Sequence, residues 1–104
     1  MAQDFEGSGA QITNSATTLL TANSDDALVG IRLANVLTSA VTVDVFIDDN
    51  GSGTLRYIVK GLALPASSSV ELVQGGSKIV LNSGDVLKGQ SNTASSVDVW
   101  LSRV

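Results

Sequence analysis

The sequence predicts an all-β fold, an antiparallel β-sandwich with a jelly-roll-like arrangement of about eight strands. Three observations predict it. Short segments that alternate apolar and polar residues recur at even spacing along the 104 residues. Residues that favour turns fill the intervals, as in NSDD, DDNGSG, QGGS and NSGD. No segment of about ten or more residues has the periodicity of an amphipathic helix, which leaves short strands joined by tight turns.

The predicted strands follow one another from residue 16 to the last residue. Each alternates with period two, which places successive side chains on opposite faces of a sheet. They span Ala16–Thr21, Ala27–Val36, Val41–Asp48, Thr54–Lys60, Ser69–Val73, Lys78–Leu81, Val86–Ser91 and Val97–Val104. We assign residues 16–104 to a single β-sandwich domain. We assign residues 1–15, which begin with the acidic segment MAQDFEGSGAQ, to an N-terminal arm.

The stretch IDDNGSGTL, residues 47–55, matches the beginning of an EF-hand calcium loop. The oxygen-bearing and glycine positions of such a loop are filled by Asp48, Asn50, Ser52 and Gly53. The loop also needs a carboxylate at its twelfth position, which is Val59 in this chain. The flanking segments alternate as strands and not as helices. We therefore predict a hairpin turn that binds no metal, with Asn50-Gly51 at positive φ.

Two aromatic residues fall on faces that the alternation marks as polar. In VTVDVFID the core face contains Val41, Val43, Val45 and Ile47, and in SVDVWLSRV it contains Val97, Val99 and Leu101. Phe46 and Trp100 lie on the opposite faces. A loop or a cross-strand neighbour covering each ring is one interpretation, because aromatic side chains often pack over a sheet. A contact surface for another subunit is the other, because tryptophan is enriched at interfaces.

The segment ALVGIRLANV has apolar residues on both faces. One face contains Ala27, Val29, Ile31 and Leu33, and the other contains Leu28, Ala34 and Val36. Such a strand is either covered on both sides within the sandwich or buried by its second face in an oligomer. Arg32 interrupts the second face. Its side chain is either solvated or forms a buried ion pair across a subunit boundary. The predicted interface candidates are therefore Phe46, Trp100, Leu28, Arg32 and Val36.

The composition excludes several classes of function. The chain has no cysteine and no histidine, so thiolate chemistry and Ser-His-Asp catalysis are excluded. Its net charge is −4, with six scattered basic residues, which argues against a nucleic-acid surface. A catalytic carboxylate pair would need residues such as Asp44 and Asp98 to meet. No signal peptide or membrane span is predicted, and we expect a soluble, unexported chain without a cofactor.

The order of segments from about Thr18 onward resembles small virion structural proteins of tailed bacteriophages, particularly those of cyanobacterial and other marine hosts. The segments that carry the resemblance are LLTANSDDALVGIRLANV, VTVDVFI, the run from Gly61 to Gly89 and TASSVDVWLSRV. The long run contains an LPA turn at 64–66, a glycine turn at Gly75-Gly76 and SGD at 83–85. These residues specify turns and not chemistry, so the resemblance implies a particle component without an active site.

The resemblance and the composition together predict a virion structural protein, assembled in the host cytoplasm. A capsid decoration or cement protein that binds the major capsid protein is the leading hypothesis, because weak contacts repeated over a lattice act together. A tail, neck or baseplate accessory protein and a host carbohydrate-binding module are the alternatives. We expect a homo-oligomer, with a trimer favoured, because a core of this size is modest for a monomer.

Overall fold

In the computed structural model, which describes residues 6–22, 25–73 and 78–104, the chain forms β-strands joined by turns and loops. The strands are β1 (Glu6–Ile12), β2 (Thr17–Thr21), β3 (Asp26–Asn35), β4 (Val41–Asp49), β5 (Thr54–Leu64), β6 (Ser69–Glu71), β7 (Ile79–Leu81), β8 (Val86–Ser91) and β9 (Val97–Arg103). The eight strands that the sequence predicts are all present as β2 to β9, with ends shifted by a few residues.

The strands form two antiparallel sheets that pack face to face, which confirms the predicted sandwich. Sheet A has the order β1-β9-β3-β6, with β7 also paired to β3, and sheet B has the order β2-β8-β4-β5. The short strands β6 and β7 pair with opposite ends of β3 and together act as one interrupted edge strand. The chain crosses repeatedly between the two sheets as it passes from β1 to β9.

Residues 6–12, which the sequence assigns to the N-terminal arm, form β1 at the edge of sheet A. Seven residue pairs join β1 to β9, including Gly9 opposite Trp100. The alternation of EGSGAQI is weak because glycine and serine occupy three of its seven positions. Pairing with β9, and not local propensity, therefore makes this segment a strand. Residues 1–5 of the predicted arm lie outside the described residues.

The core lies between the two sheets and is almost entirely aliphatic. Valines and leucines from both inner faces interdigitate there, as the alternation of the strands predicts. The predicted core positions of β4 and β9 are confirmed: Val41, Val43, Val45, Val97, Val99 and Leu101 are buried, and Ile47 packs against them.

A bulge in β3 corrects the prediction of a strand with two apolar faces. Leu28 pairs with Arg103, and Gly30 pairs with the adjacent Ser102, so Val29 is the extra residue. A bulge reverses the alternation on either side of it. Leu28 consequently faces inward together with Ile31, and both are fully buried. Of the predicted second face, Leu28 thus joins the core, whereas Ala34 is half-buried and Val36 is exposed.

The turn between β4 and β5 has the predicted hairpin conformation. Asn50 and Gly51 have φ of 55° and 64°, and the Gly51 amide donates to the Asp48 carbonyl at 3.2 Å. The Asp48 carboxylate accepts the Gly53 amide at 2.8 Å. Asp48 thus caps its own turn, as short acidic side chains do in hairpin loops.

The turns of the LPA and SGD motifs are also present. Ser68 donates its amide to the Pro65 carbonyl, and Asp85 donates its amide to the Asn82 carbonyl. Gly84 has φ of 98°, a conformation that favours glycine. The predicted turn at Gly75-Gly76 lies outside the described residues.

Candidate functional site on the outer faces of the two sheets

Trp100 lies on the outer face of sheet A and is 56% exposed. Its indole extends over β1, where a Cβ built on Gly7 would lie 2.6 Å from the ring and one built on Gly9 would lie 3.1 Å from it. Glycine at both positions therefore lets the indole approach the sheet closely. The ring covers an edge strand that has few side chains of its own, and a broad aromatic surface remains in contact with solvent.

Polar side chains flank Trp100 on the same face. Asp98, two residues earlier on β9, accepts a hydrogen bond from the Gln11 side chain at 2.9 Å. Arg32 lies opposite Trp100 on β3, and its Nε is 3.6 Å from the Glu71 carboxylate. A shallow groove of about 360 Å³ runs between these groups, lined by Gly9, Ala10, Arg32, Ala34, Asp98, Val99 and Trp100. We refer to Trp100, Asp98 and the groove as the Trp100 patch.

Phe46 does not form part of an exposed surface, although it faces away from the core as predicted. The ring is 3% exposed because Tyr57 of β5 packs against it, with ring centroids 5.1 Å apart. A bulge at Ile58 sets Tyr57 opposite Phe46. Lys88 flanks Phe46 on the other side, from β8. The alternative that a cross-strand neighbour covers the ring is therefore correct for Phe46.

Tyr57 is the exposed aromatic residue of sheet B, whereas the alternation of TLRYIV favours a place in the core. Tyr57 and Leu55 are 43% and 41% exposed, and their partners on β4 are the outward-facing Phe46 and Asp48. Cross-strand partners share a face, so both lie on the outer face of sheet B. The Lys60 ammonium lies 4.7 Å from the Tyr57 ring centroid, within the range of a cation–π contact. We call Leu55, Tyr57 and Lys60 the Tyr57 patch.

The other predicted interface residues have different environments. Leu28 is part of the core and is absent from the surface. Arg32 is a largely solvated side chain whose ion pair with Glu71 lies within one chain and not in a buried site. Val36, just after β3, is 49% exposed. Of the five candidates, Trp100, Arg32 and Val36 are therefore available to a partner.

The carboxylates that would be needed for catalysis do not come together. Asp44 lies on the outer face of sheet B, where it accepts the Gly61 amide at 2.7 Å. Asp98 lies on the outer face of sheet A, on the far side of the sandwich. Among residues 6–22, 25–73 and 78–104, no group of three acidic side chains is placed to hold a metal ion, and no helix could span a membrane.

Comparison with known proteins finds a likeness in structure only. No protein-family model matches the chain, and no curated protein matches it. The chain is similar to two crystal structures of a pentameric capsid protein isolated from metagenomic phage sequences, one of them solved by iodide SAD phasing. Each is 20% identical in sequence to this chain, and each superposes with a TM-score of 0.52. The match covers 95% of this chain in both comparisons, and 59% of one capsid protein chain and 60% of the other. The chain thus spans about three fifths of the length of the proteins whose fold it shares.

Proposed function

We propose that this protein is a structural component of a bacteriophage particle. The likeness of nearly the whole chain to a phage capsid protein is the observation that carries the proposal. The resemblance of its segments to virion proteins of tailed phages points to the same class of protein. The two exposed aromatic patches on opposite faces suit a subunit that functions by contacts with other proteins.

Within the particle, we propose a decoration or cement protein that binds the major capsid protein lattice on the capsid exterior. A small sandwich without cysteine, with an exposed Trp100, suits repeated attachment to a symmetric surface. The subunits associate with one another as a closed ring. The solved structures that share the fold are pentameric, whereas threefold capsid and tail attachment points favour a trimer.

Counting copies in purified particles tests the location. Quantitative mass spectrometry against the major capsid protein should give hundreds of copies per particle for a decoration protein. A few to a few dozen copies would instead assign the protein to the tail, neck or baseplate. Cryo-electron microscopy of the same particles should then show density for this chain on the capsid exterior. Absence of the protein from the particles would refute the proposal altogether.

A host carbohydrate-binding module is the second candidate, and the Trp100 patch is the observation that favours it. Sugar rings stack on exposed indoles, and Asp98 and Gln11 could hydrogen-bond to hydroxyl groups beside the ring. Tryptophan fluorescence reports on such a site directly, because Trp100 is the one tryptophan of the chain. Saturable quenching by host glycans, lost in Asp98→Ala, would favour this candidate. An unchanged spectrum at millimolar glycan would eliminate it.

A further inference from the structure

We infer that two copies of this chain pair through the free edge of β1, antiparallel and about a twofold axis at Ser8, so that sheet A continues from one copy into the other. Such a contact is isologous, because both copies use the same strand. It is therefore not the contact that closes the proposed ring. The inference goes beyond the proposed function, because this pairing joins subunits of two different rings.

The edge of β1 has none of the features that prevent pairing with a further strand. Among the described residues β1 pairs with β9 alone, so one side of its backbone is unpaired. The other edges of the two sheets are short or irregular, as edges usually are in soluble proteins. β6 and β7 have three residues each, β2 has a register shift, and β5 has two register shifts and a positive φ at Gly61. β1 keeps an even register over seven residues, so it can accept another strand.

Ser8, at the middle of this edge, has a hydroxyl group that needs a partner. Its side chain faces the inside of the sandwich, on the same face as Ala10. Its oxygen is buried without a hydrogen bond among the described residues, which costs free energy. In an antiparallel pair centred on Ser8, the serines of the two copies are directly opposite each other. Cross-strand neighbours share a face at short distance, so one hydroxyl can donate to the other.

The Trp100 indole indicates the same axis by a separate observation. Its ring lies over β1 between Gly7 and Gly9, so its centre is level with Ser8. In a pair centred on Ser8, Gly7 of one copy is opposite Gly9 of the other, and the two indoles lie side by side over neighbouring strands. Strands in a sheet are roughly 4.8 Å apart, within the ring separation of about 4.5–7 Å that aromatic pairs prefer. Each ring, 56% exposed in one chain, is then covered by the other.

The charges near the edge are compatible with a second copy as the partner. Glu6 is the one charged residue of β1, and Arg103 of the same chain neutralises it at 2.8 Å. Antiparallel pairing places Glu6 of one copy opposite Ala10 of the other, so the two carboxylates are about 13 Å apart along the strands. Asp98, which is opposite Gln11, lies farther from the axis. At these separations salt screens the repulsion between copies.

A single cysteine tests the axis, because the native chain contains none. A residue can form a disulfide with its own copy only where the two copies bring it close to itself, as a twofold axis does. Ser8→Cys should therefore give a covalent dimer under mild oxidation. Because the hydroxyl oxygen at this position is buried in a single chain, random collisions should not produce the dimer. Ser69→Cys, at an exposed serine of β6, is the matched control and should form roughly tenfold less.

Tryptophan fluorescence tests the pairing in the unmodified chain, because Trp100 is its one tryptophan. Dilution from about 100 μM to about 1 μM should dissociate the pair by mass action and shift the emission to longer wavelength as the indole meets solvent. Trp100→Phe keeps an aromatic ring and should still cross-link in the Ser8→Cys background. Trp100→Glu places two carboxylates side by side and should weaken pairing by roughly tenfold or more.

The inference would be overturned by equal yields of covalent dimer from Ser8→Cys and Ser69→Cys. Native mass spectrometry that finds no species with an even number of subunits at about 100 μM would also overturn it. So would a dimer whose tryptophan emission is that of an exposed indole, or particles in which a strand of another virion protein occupies the β1 edge. If β1 pairs as expected and the protein is absent from phage particles, the proposed function fails while the pairing remains.

Discussion

The two aromatic residues that the sequence treats alike, Phe46 and Trp100, have different environments and should respond differently to truncation. Phe46 is 3% exposed beneath Tyr57, and Trp100 is 56% exposed. Phe46→Ala should therefore cost roughly 3 kcal/mol of folding free energy, whereas Trp100→Ala should cost about 1 kcal/mol, from lost cover over Gly7 and Gly9. Urea unfolding at low protein concentration measures both. A Trp100→Ala variant destabilised as much as Phe46→Ala would contradict the exposed position of the indole.

At the scale of elements, Asp85 joins two turns at one end of the sandwich. Its carboxylate is nearly buried and accepts the Asn50 amide of the β4–β5 turn at 2.8 Å and the Asn82 amide at 2.9 Å. Asp85→Ala leaves both amides without that partner and should reduce the free energy of unfolding by about 2 kcal/mol. Asp98→Ala, which removes an exposed carboxylate, is the matched control and should change the stability by less than about 0.5 kcal/mol. Equal effects would mean that Asp85 does not tie the turns together.

The β4–β5 turn itself should not bind calcium. The Asp48 carboxylate is occupied by the Gly53 amide at 2.8 Å and lies 3.6 Å from the Lys88 ammonium. Val59 of β5 supplies no closing carboxylate. Calorimetric titration with millimolar calcium should show no saturable heat, and the melting temperature should stay unchanged. A stoichiometric site that disappears in Asp48→Ala would refute the hairpin interpretation of this stretch.

For the whole molecule, association should contribute to stability, because a sandwich of 104 residues has a core of modest size. If the native state is a ring, its unfolding depends on protein concentration by mass action. Tenfold dilution should therefore lower the melting temperature of the wild type by a few degrees. Trp100→Glu, which places a charge at the centre of the exposed Trp100 patch, should melt at a temperature that depends less on dilution, because the patch is the proposed contact surface. Differential scanning calorimetry at two concentrations measures both, and a wild type insensitive to dilution would indicate a monomer.

The sequence by itself determined the features that depend on neighbours along the chain. Alternation located β2 to β9, because period two is a local property of a strand. The Asn50-Gly51 pair predicted the hairpin turn, because positive φ is a preference of those residues. The same alternation placed Trp100 and Asp98 outside the core, since no bulge interrupts β9 in its pairing with β1.

Only the tertiary structure decided the features that depend on how the strands pair. The bulge at Val29 turns Leu28 into the core, and the bulge at Ile58 brings Tyr57 over Phe46. Gly30 beside Val29 is a local sign that a bulge is tolerated there, but the bulge at Ile58 has no such sign and follows from the register of the partner strand. β1 is likewise a strand because β9 offers it an edge. The Trp100 patch exists because strands distant in sequence pair and bring Trp100 beside Arg32. The Tyr57 patch exists because the register of the β4–β5 hairpin sets Tyr57 over Phe46.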